Sequence, residues 1–353
     1  MKRLIIASLL AAAGCCQSFA QGGGGIAEGT GYYLPKTELE FTVRYEKTSY
    51  TPGELAMYAE KYMKMTNVAM KPTVKYRIID FKINSVGERD TSKFYAAPVD
   101  SKHNIETLMV DENGVLLAVN AEPKAIKTLE PFKPAAKPKP LNPRDYMNED
   151  ILSAGSSAKM AELCASEIYD IRDSKGLLSK GQADFMPKDG EQLRIMLANL
   201  NTQEKGLLQL FTGVTVKDTA ETVIRFVPTK PVDKKVLFRF SKWFGLTDAD
   251  DLAGNPFYVS VEEMHSIPSI QEEYISTRKQ KDNGGFYVNL PGKIKVTVYN
   301  GTEPWKAYEL YAAQFGKVVP LDEGLFSKKT FTGIVLNPVT GSLEDIKIES
   351  LKR

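Results

Sequence analysis

The sequence predicts an α+β protein with a mixed, α/β-rich N-terminal domain, a central antiparallel helical hairpin and a C-terminal antiparallel β-sandwich-like domain. Residues 153–213 form the longest segment with helical periodicity. Short alternating strand patterns, separated by Gly, Pro and Asn, lie on both sides of it. A Pro- and Lys-rich stretch precedes the helices and marks the main domain boundary. The predicted parts are a leader at 1–20, the N-terminal domain at 21–130, a linker at 131–150, the hairpin at 151–213 and the β domain at 214–353.

Residues 1–20 are predicted to be a secretory signal peptide. Lys2 and Arg3 form a charged start, residues 4–14 are an apolar run, and a small-x-small cleavage site ends at Ala20. The apolar run is too short to span a bilayer. We therefore expect an exported protein, periplasmic or associated with the outer membrane, whose mature chain begins at the next residue.

Cys15 leaves an alternative open. Ala12-Ala13-Gly14-Cys15 is similar to a lipoprotein box, which would be cut before Cys15 and lipidated there, although the usual Leu is missing from its first position. Cleavage after Ala20 is favoured, and it removes every cysteine except Cys164. That residue falls on an apolar helical stripe, where a cysteine is typically a small buried hydrophobe rather than a nucleophile.

The N-terminal domain is predicted to mix strands with one helix. Alternation over 39–46 predicts a half-buried strand. Thr51-Pro52-Gly53-Glu54 is a typical helix start, with Thr51 as the cap, and the helix is expected to reach about Met63. Further strands are predicted over 74–79, 105–110 and 115–119, the last two joined by an Asn-Gly turn.

The Pro-rich segment that follows allows three interpretations. It contains Pro131-Phe132-Lys133-Pro134 and continues to Pro143 with alternating Pro, Lys and Ala. A stiff, extended segment of this kind can serve as a ligand for a proline-recognising module, as a plain linker, or as an arm lying on the protein surface. The last two are favoured.

Two amphipathic helices are predicted in the central segment, over 156–172 and 190–211. Ser156 or Ser157 caps the first, and Lys175-Gly176 is its expected stop. Asp189 caps the second, and Gly213 ends it. The apolar stripes comprise Met160, Cys164, Ile168 and Ile171 in the first helix, and Leu193, Met196, Leu197, Leu200, Leu207, Leu208 and Phe211 in the second. We interpret both stripes as core; a partner-binding groove is the alternative.

The C-terminal part is predicted to be a run of strands with Gly, Pro and Asn turns. No helical pattern interrupts them, which favours an antiparallel sandwich or a barrel-like sheet. The predicted strands cover 223–227, 236–240, 257–261, 286–290, 294–298, 331–336 and 343–348.

The sequence contains no convincing catalytic, cofactor or metal constellation. His103 and His265 lie outside any metal-helix motif, and there is no Cys pair for zinc, no phosphate-binding glycine pattern and no nucleophile elbow. Ser156-x-x-Lys159 matches the nucleophile motif of penicillin-binding enzymes, which also need a Lys-Thr-Gly strand. No convincing strand of that kind is present in the sequence, so Ser156 is favoured as a helix cap. The acidic cluster 248–251 lacks EF-hand spacing, which favours a solvated turn. We therefore predict no catalytic, cofactor-binding or metal-binding residues.

Composition narrows the class of partner. The net charge is +2, which is too small to indicate binding of nucleic acid or anionic lipid. Exported β domains often bind sugars on aromatic side chains, so Trp243 and Trp305 are the candidates for ligand stacking. The expected partner is an envelope protein or a glycan, and membrane contact is expected only through lipidation of Cys15.

Five blocks of sequence resemble a known family. They are Tyr32–Thr37, Tyr58–Tyr62, Leu141–Tyr146, Ala154–Glu162 and Phe185–Gln192, spread over nearly the full mature chain. With these blocks, the chain is similar to exported proteins of Bacteroidetes that carry the domain of unknown function 4831. The resemblance implies an exported envelope protein and carries no activity or site residues.

These observations favour a non-enzymatic binding or assembly protein of the cell envelope. The alternative is a hydrolase that acts on glycans through two facing carboxylates, which are not recognisable in one dimension among the 44 Asp and Glu residues. The scarcity of histidine and the lack of a nucleophile motif favour binding.

Overall fold

A computed structural model describes residues 17–18, 30–100, 102–125, 132–137, 140–267 and 285–351. Cys15 and most of the predicted signal peptide lie outside the described residues. Within these ranges the protein combines helices with antiparallel sheets, so the predicted mixed α and β content is confirmed.

Four α-helices are described: α1 (Ala59–Met63), α2 (Glu149–Leu152), α3 (Ser157–Lys180) and α4 (Gly190–Thr212). Short 3-10 turns cover Ala56–Tyr58, Pro143–Tyr146 and Glu323–Phe326. The strands are β1 (Gln17–Ser18), β2 (Gly31–Thr51), β3 (Thr73–Ala96), β4 (Leu108–Val110), β5 (Leu116–Val119), β6 (Val214–Phe226), β7 (Val232–Ser241), β8 (Gly245–Thr247), β9 (Asn255–Glu263), β10 (Tyr287–Asn300), β11 (Glu303–Pro320), β12 (Thr330–Leu336) and β13 (Leu343–Ser350).

The strands form three sheets. A long three-stranded sheet has the order β3-β2-β6, and a five-stranded sheet has the order β11-β10-β9-β7-β8. A second five-stranded sheet, β1-β4-β5-β12-β13, combines a short N-terminal hairpin with the last two strands of the chain. Every pair of neighbouring strands is antiparallel.

Segments before and after the Pro-rich linker contribute to the same sheets. β2 pairs with β6 from Leu39↔Phe226 to Thr51↔Val214, and β5 pairs with β12. Strand pairing thus joins residues more than 150 positions apart in the chain. The domain boundaries inferred from composition stay a prediction.

The main core lies between the three-stranded sheet and the first five-stranded sheet. Alternation in β2 directs Leu39, Phe41 and Val43 to one face, where all three are buried, while Glu40, Thr42 and Arg44 point to the other face. The buried face packs on Phe238, Val259 and other apolar residues of the second sheet. The strand predicted over 39–46 is therefore correct, and it continues in both directions to Gly31 and Thr51.

The helix start predicted at Thr51 is wrong. Thr51 ends β2, and the first helical turn begins at Ala56. The chain between them passes against the end of α4, where Leu55 N–H donates to Leu210 O at 2.8 Å. A Cβ on Gly53 would lie 2.1 Å from that same carbonyl oxygen. This tertiary contact, and not the local Thr-Pro-Gly-Glu pattern, sets the conformation.

The predicted stop of the first long helix is also wrong. Gly176 remains helical, and α3 continues to Lys180. Gly181 is the C-cap, with φ of 70° and an N–H that donates to Leu178 O. The N-terminal cap agrees with the sequence, because Ser156 Oγ accepts the Lys159 N–H. A Gly with ordinary helical dihedral angles costs about 1 kcal/mol but does not end a helix by itself.

Gly206, which weakens α4 in isolation, is required by packing. A Cβ at this position would lie 2.3 Å from Cδ2 of Tyr146. The ring of Tyr146 therefore rests directly on the helix backbone, in the core that α3 and α4 share with α1 and α2. The stripe of α3 and the C-terminal half of the α4 stripe enter this core, including Cys164, Ile168, Leu207 and Phe211. The N-terminal half of the α4 stripe does not, and Met196, predicted as core, is 38% exposed.

Glu204 links the two long helices electrostatically. Its carboxylate accepts from Arg172 Nε at 2.6 Å and from Lys175 Nζ, and its side chain is 15% exposed. Burial alone would raise the pKa of Glu204, but the hydrogen bonds from Lys175 and Arg172 outweigh it and hold the pKa below its usual value.

A depressed folded-state pKa makes the stability contribution of Glu204 pH-dependent. The contribution is present above the unfolded pKa, near 4.3, and is lost as the pH falls through the folded pKa. We expect Glu204→Gln to lower the free energy of unfolding at pH 7 by about 1–2 kcal/mol and to flatten its decline in acid. Urea unfolding between pH 7 and pH 3 measures both effects. Glu191→Gln, which breaks an exposed pair with Arg194, is the control and should change the profile much less, because solvent screens that pair.

Candidate functional site

The turn between β7 and β8 presents two large aromatic side chains to solvent. Trp243 is 55% exposed and Phe244 is 68% exposed. We call Lys242, Trp243 and Phe244 the aromatic tip. Two hydrogen bonds hold its backbone: Tyr76 N–H donates to Lys242 O at 2.7 Å, and Trp243 N–H donates to Ser241 Oγ at 3.2 Å. The tip is thus fixed to both β7 and β3.

Gly245 allows this attachment. Its φ is 80°, a conformation that other residues rarely adopt, and a Cβ there would lie 2.9 Å from Cδ1 of Tyr76. The ring of Tyr76 therefore packs against the backbone that follows the tip. Ligand contact with Trp243 would require little ordering of the turn, because its position is already determined.

The aromatic tip lies beside a part of the three-stranded sheet that no other described element covers completely. In the register of that sheet, Val74, Ser49 and Val216 form one row, and the next row on the same face is Tyr76, Lys47 and Asp218. Directly opposed residues point to the same face, and this is the face that carries Phe41 and Val43 into the core. Val74 and Val216 are nevertheless exposed. We call these two rows the overhang.

Lysine side chains complete the surface. Lys242 Nζ lies 5.4 Å from the ring centroid of Trp243, and Lys47 Nζ lies 5.9 Å from that of Tyr76. The surface thus combines a flat aromatic face with ammonium donors. Such a combination can stack on the apolar face of a sugar ring and donate to its hydroxyl or carboxyl groups.

Trp305 occupies a different environment. Its ring lies 4.9 Å from the ring of Phe81 and 5.3 Å from that of Phe257, measured between centroids. The side chain is half-buried at the edge of the main core. The two tryptophans are therefore not parts of one surface. The predicted stacking role of both stays a prediction, and the geometry favours Trp243.

The outer face of the three-stranded sheet is a ladder of ion pairs. Arg44 contacts Glu221 at 2.8 Å, Arg77 contacts Glu46 at 2.9 Å, and Arg225 contacts Glu40 at 3.1 Å. The hydrogen bond from Arg77 lowers the pKa of Glu46. Each of these three carboxylates is paired with an arginine.

Part of the Pro-rich segment reaches from this ladder to the other face of the sheet. The guanidinium of Arg44, on the outer face, lies 4.5 Å from the ring centroid of Phe132. Lys137 forms an ion pair with Asp218 on β6, which lies opposite Lys47 and therefore on the other face. Residues 132–137 therefore contact the sheet as a surface arm, one of the three interpretations that the sequence allowed.

Other candidate residues have structural partners. His103 Nδ1 lies 2.7 Å from Asp100 Oδ1, and Asp251 Oδ1 accepts from Ala253 N–H within the acidic turn. Burial raises the pKa of the Cys164 thiol to about 11, so its thiolate is not accessible at neutral pH. Over the described ranges, no group of three or more His, Cys, Asp or Glu side chains is arranged to hold a metal ion.

Two open depressions lie on either side of Thr66. One, of about 520 Å³, is lined by Met57, Glu60, Lys61, Lys64 and Thr66. The other, of about 440 Å³, is lined mainly by the backbone segment 65–69, Tyr50 and Thr212. The first contains a single carboxylate and the second contains none, so neither resembles a glycosidase cleft.

Sequence reasoning selected Trp243 as an aromatic that could stack on a sugar, but it could not select Tyr76, Lys47, Val74 or Val216. These residues join the tip only through strand register and through a hydrogen bond between the tip and β3. The alternation of Val74 and Tyr76 was a signal for a strand face. It gave no information about which part of that face stays uncovered.

The fold defines a mixed α and β protein of antiparallel sheets and packed helices. The chain belongs to the family described as Domain of unknown function (DUF4831), whose family model matches residues 28–344. Comparison with curated proteins and with solved structures found no match. Among the described residues, no helix combines the length and apolar character needed to cross a membrane.

Proposed function

We propose that this protein is an exported, non-enzymatic binding or assembly protein of the cell envelope, and that the aromatic tip with the overhang contacts its ligand. The observation that carries this proposal is the exposed Trp243–Phe244 pair on a turn whose backbone is hydrogen-bonded to a neighbouring sheet. Rigid, exposed aromatic side chains dominate recognition because they contribute large contact area at a low entropy cost. The predicted signal peptide supports export.

A glycan is the ligand that this chemistry fits best. A sugar ring offers an apolar face for Trp243 and hydroxyl groups for the ammonium groups of Lys242 and Lys47. A protein partner would place an apolar side chain against the same ring. The two ligands differ in what they require of the lysines, since an apolar partner does not need their hydrogen bonds.

The hydrolase alternative has one observation in its favour. Burial raises the pKa of Glu38, with Glu88 and Glu40 adding to the effect. A raised pKa suits a general acid. However, Glu38 lies on the outer face of the sheet, and its neighbouring carboxylates Glu40 and Glu88 are paired with Arg225 and Lys36. We therefore rank binding first.

The direct test is binding by Trp243 variants. We expect Trp243→Ala to weaken binding to any glycan found on an array, or to a crosslinked envelope partner, by roughly tenfold or more. Tyr311→Ala is the matched control, because Tyr311 is equally exposed, at 55%, on a different strand. Crosslinking in the native envelope should be run beside the array, with the intact mass of the chain distinguishing a start at Gln21 from an acylated start at Cys15.

Two results would contradict the proposal. Equal losses with Trp243→Ala and Tyr311→Ala would mean that the tip has no special role. Turnover of a polysaccharide that disappears with Glu38→Gln would replace the binding function with hydrolysis.

A further inference from the structure

The outer edge of β13 is open. β13 is the last strand of its sheet and pairs with β12 on one side, and over the described ranges no strand pairs with its other side. All eight of its residues are exposed. Such an edge presents a row of unpaired N–H and C=O groups, which is a template for an added strand.

One face of β13 is apolar and continues the face of a buried core. Ile346 lies opposite Ile334, and Ile348 lies opposite Thr332; both of these β12 residues are fully buried. Opposed residues share a face of the sheet. Ile346 and Ile348 are nevertheless 38% and 53% exposed, so the apolar face extends beyond what the chain itself covers.

The charges of β13 are self-complementary. The central sequence is Asp345-Ile346-Lys347-Ile348-Glu349, with one base between two acids. If two copies paired antiparallel with Ile346 on the two-fold axis, each Asp345 would face Lys347 of the second copy. If they paired about Ile348, each Lys347 would face Glu349 of the second copy. Pairing about Lys347 would place like charges opposite each other, which is unfavourable.

We propose that β13 is a self-association edge, at which two copies of this chain pair antiparallel across a two-fold axis and continue the sheet from one copy into the other. The added strand is β13 of a second copy, because the charges of β13 are complementary to those of the same strand running antiparallel. Pairing buries whichever isoleucine lies on the two-fold axis, Ile346 or Ile348, against its equivalent and satisfies the open backbone groups. Strands of this length bury less than a standard interface of roughly 1,200–2,000 Å². The expected dissociation constant is therefore about 1–100 µM.

Sedimentation velocity of the mature chain over a concentration series tests the proposal. We expect wild type to form dimers in that range. Lys347→Glu replaces two attractive cross-strand pairs with repulsive ones in either register, and it should weaken the dimer roughly ten- to hundredfold. The triple variant Asp345→Lys, Lys347→Glu, Glu349→Lys restores opposite charges in both registers and should restore the dimer.

Symmetric disulfides identify the register. A pair on the two-fold axis brings Cα atoms within about 4.5–5.5 Å, which suits a disulfide. We expect Ile346→Cys or Ile348→Cys to give an oxidised dimer, and Lys347→Cys to give little. The proposal is overturned if wild type stays monomeric up to 200 µM, if the triple variant does not recover dimers lost in Lys347→Glu, or if Lys347→Cys crosslinks best.

Discussion

Replacing Gly292 with alanine should lower the free energy of unfolding by roughly 3 kcal/mol or more. Gly292 follows the bulge in β10, where the register against β11 shifts between Leu290 and Gly292. A Cβ there would lie 1.9 Å from the carbonyl oxygen of Phe315. Gly316 on β11 is equally close to Leu290 O, so the two backbones approach each other with no room for side chains. Urea unfolding followed by circular dichroism measures the loss.

The control is a glycine with free space around it. Gly176 lies inside α3, and a Cβ there would meet nothing within 4 Å. Gly176→Ala should therefore stabilise the protein by about 1 kcal/mol, because alanine is the better helix former. If the free energy of unfolding of Gly292→Ala instead stays within about 0.5 kcal/mol of wild type, the backbones of β10 and β11 do not approach each other as closely as described.

Local patterns predicted most elements correctly because they depend on neighbouring residues. The 3.6-residue stripes of the long helices and the alternation of β2 are properties of a few consecutive turns or residue pairs. The hairpin from Leu108 to Val119 was found in the same way, since Gly114 has a φ of 76° that suits its turn.

Long-range contacts explain where prediction failed. The chain from Phe286 to Leu290 and from Ile294 to Val298 was predicted as two strands, but it is one strand, β10, with a bulge at Pro291. β11 was not predicted, although it pairs with β10 over most of its length. Its residues 303–311 are mostly exposed or half-buried, so they do not alternate clearly in hydrophobicity. Only the neighbouring strand makes them part of a sheet.

In the candidate site, too, local sequence predicted some features and long-range contacts determined the others. Trp243 could be chosen from its residue type alone, whereas its exposure and the half-buried position of Trp305 depend on which aromatic rings meet across two sheets. The overhang exists because β2, β3 and β6 extend past the sheet that covers their apolar face. The relative lengths of packed sheets are set by tertiary structure and have no local signal.

Phe41→Ala should destabilise the protein by about 3–5 kcal/mol. Phe41 is fully buried in the core between two sheets, and its ring centroid lies 6.0 Å from that of Phe81. Phe81 in turn contacts Trp305. Removing the ring leaves a cavity that β2 cannot close, because hydrogen bonds to β3 and β6 fix it on both sides.

The chain has two tryptophans, so Trp243→Phe makes Trp305 a single fluorescent reporter of this core. In that background, the unfolding of Phe41→Ala should shift to lower urea, and Trp305 fluorescence and far-UV circular dichroism should still change together. Coincident transitions indicate one cooperative unit that includes both sheets. Thr42→Ala, on the opposite face of the same strand, is the control and should cost less than about 1 kcal/mol. In the Trp243→Phe background without a core substitution, a fluorescence transition that separates from the circular dichroism transition would mean that the two sheets unfold independently. A Phe41→Ala effect no larger than that of Thr42→Ala would place Phe41 outside the core.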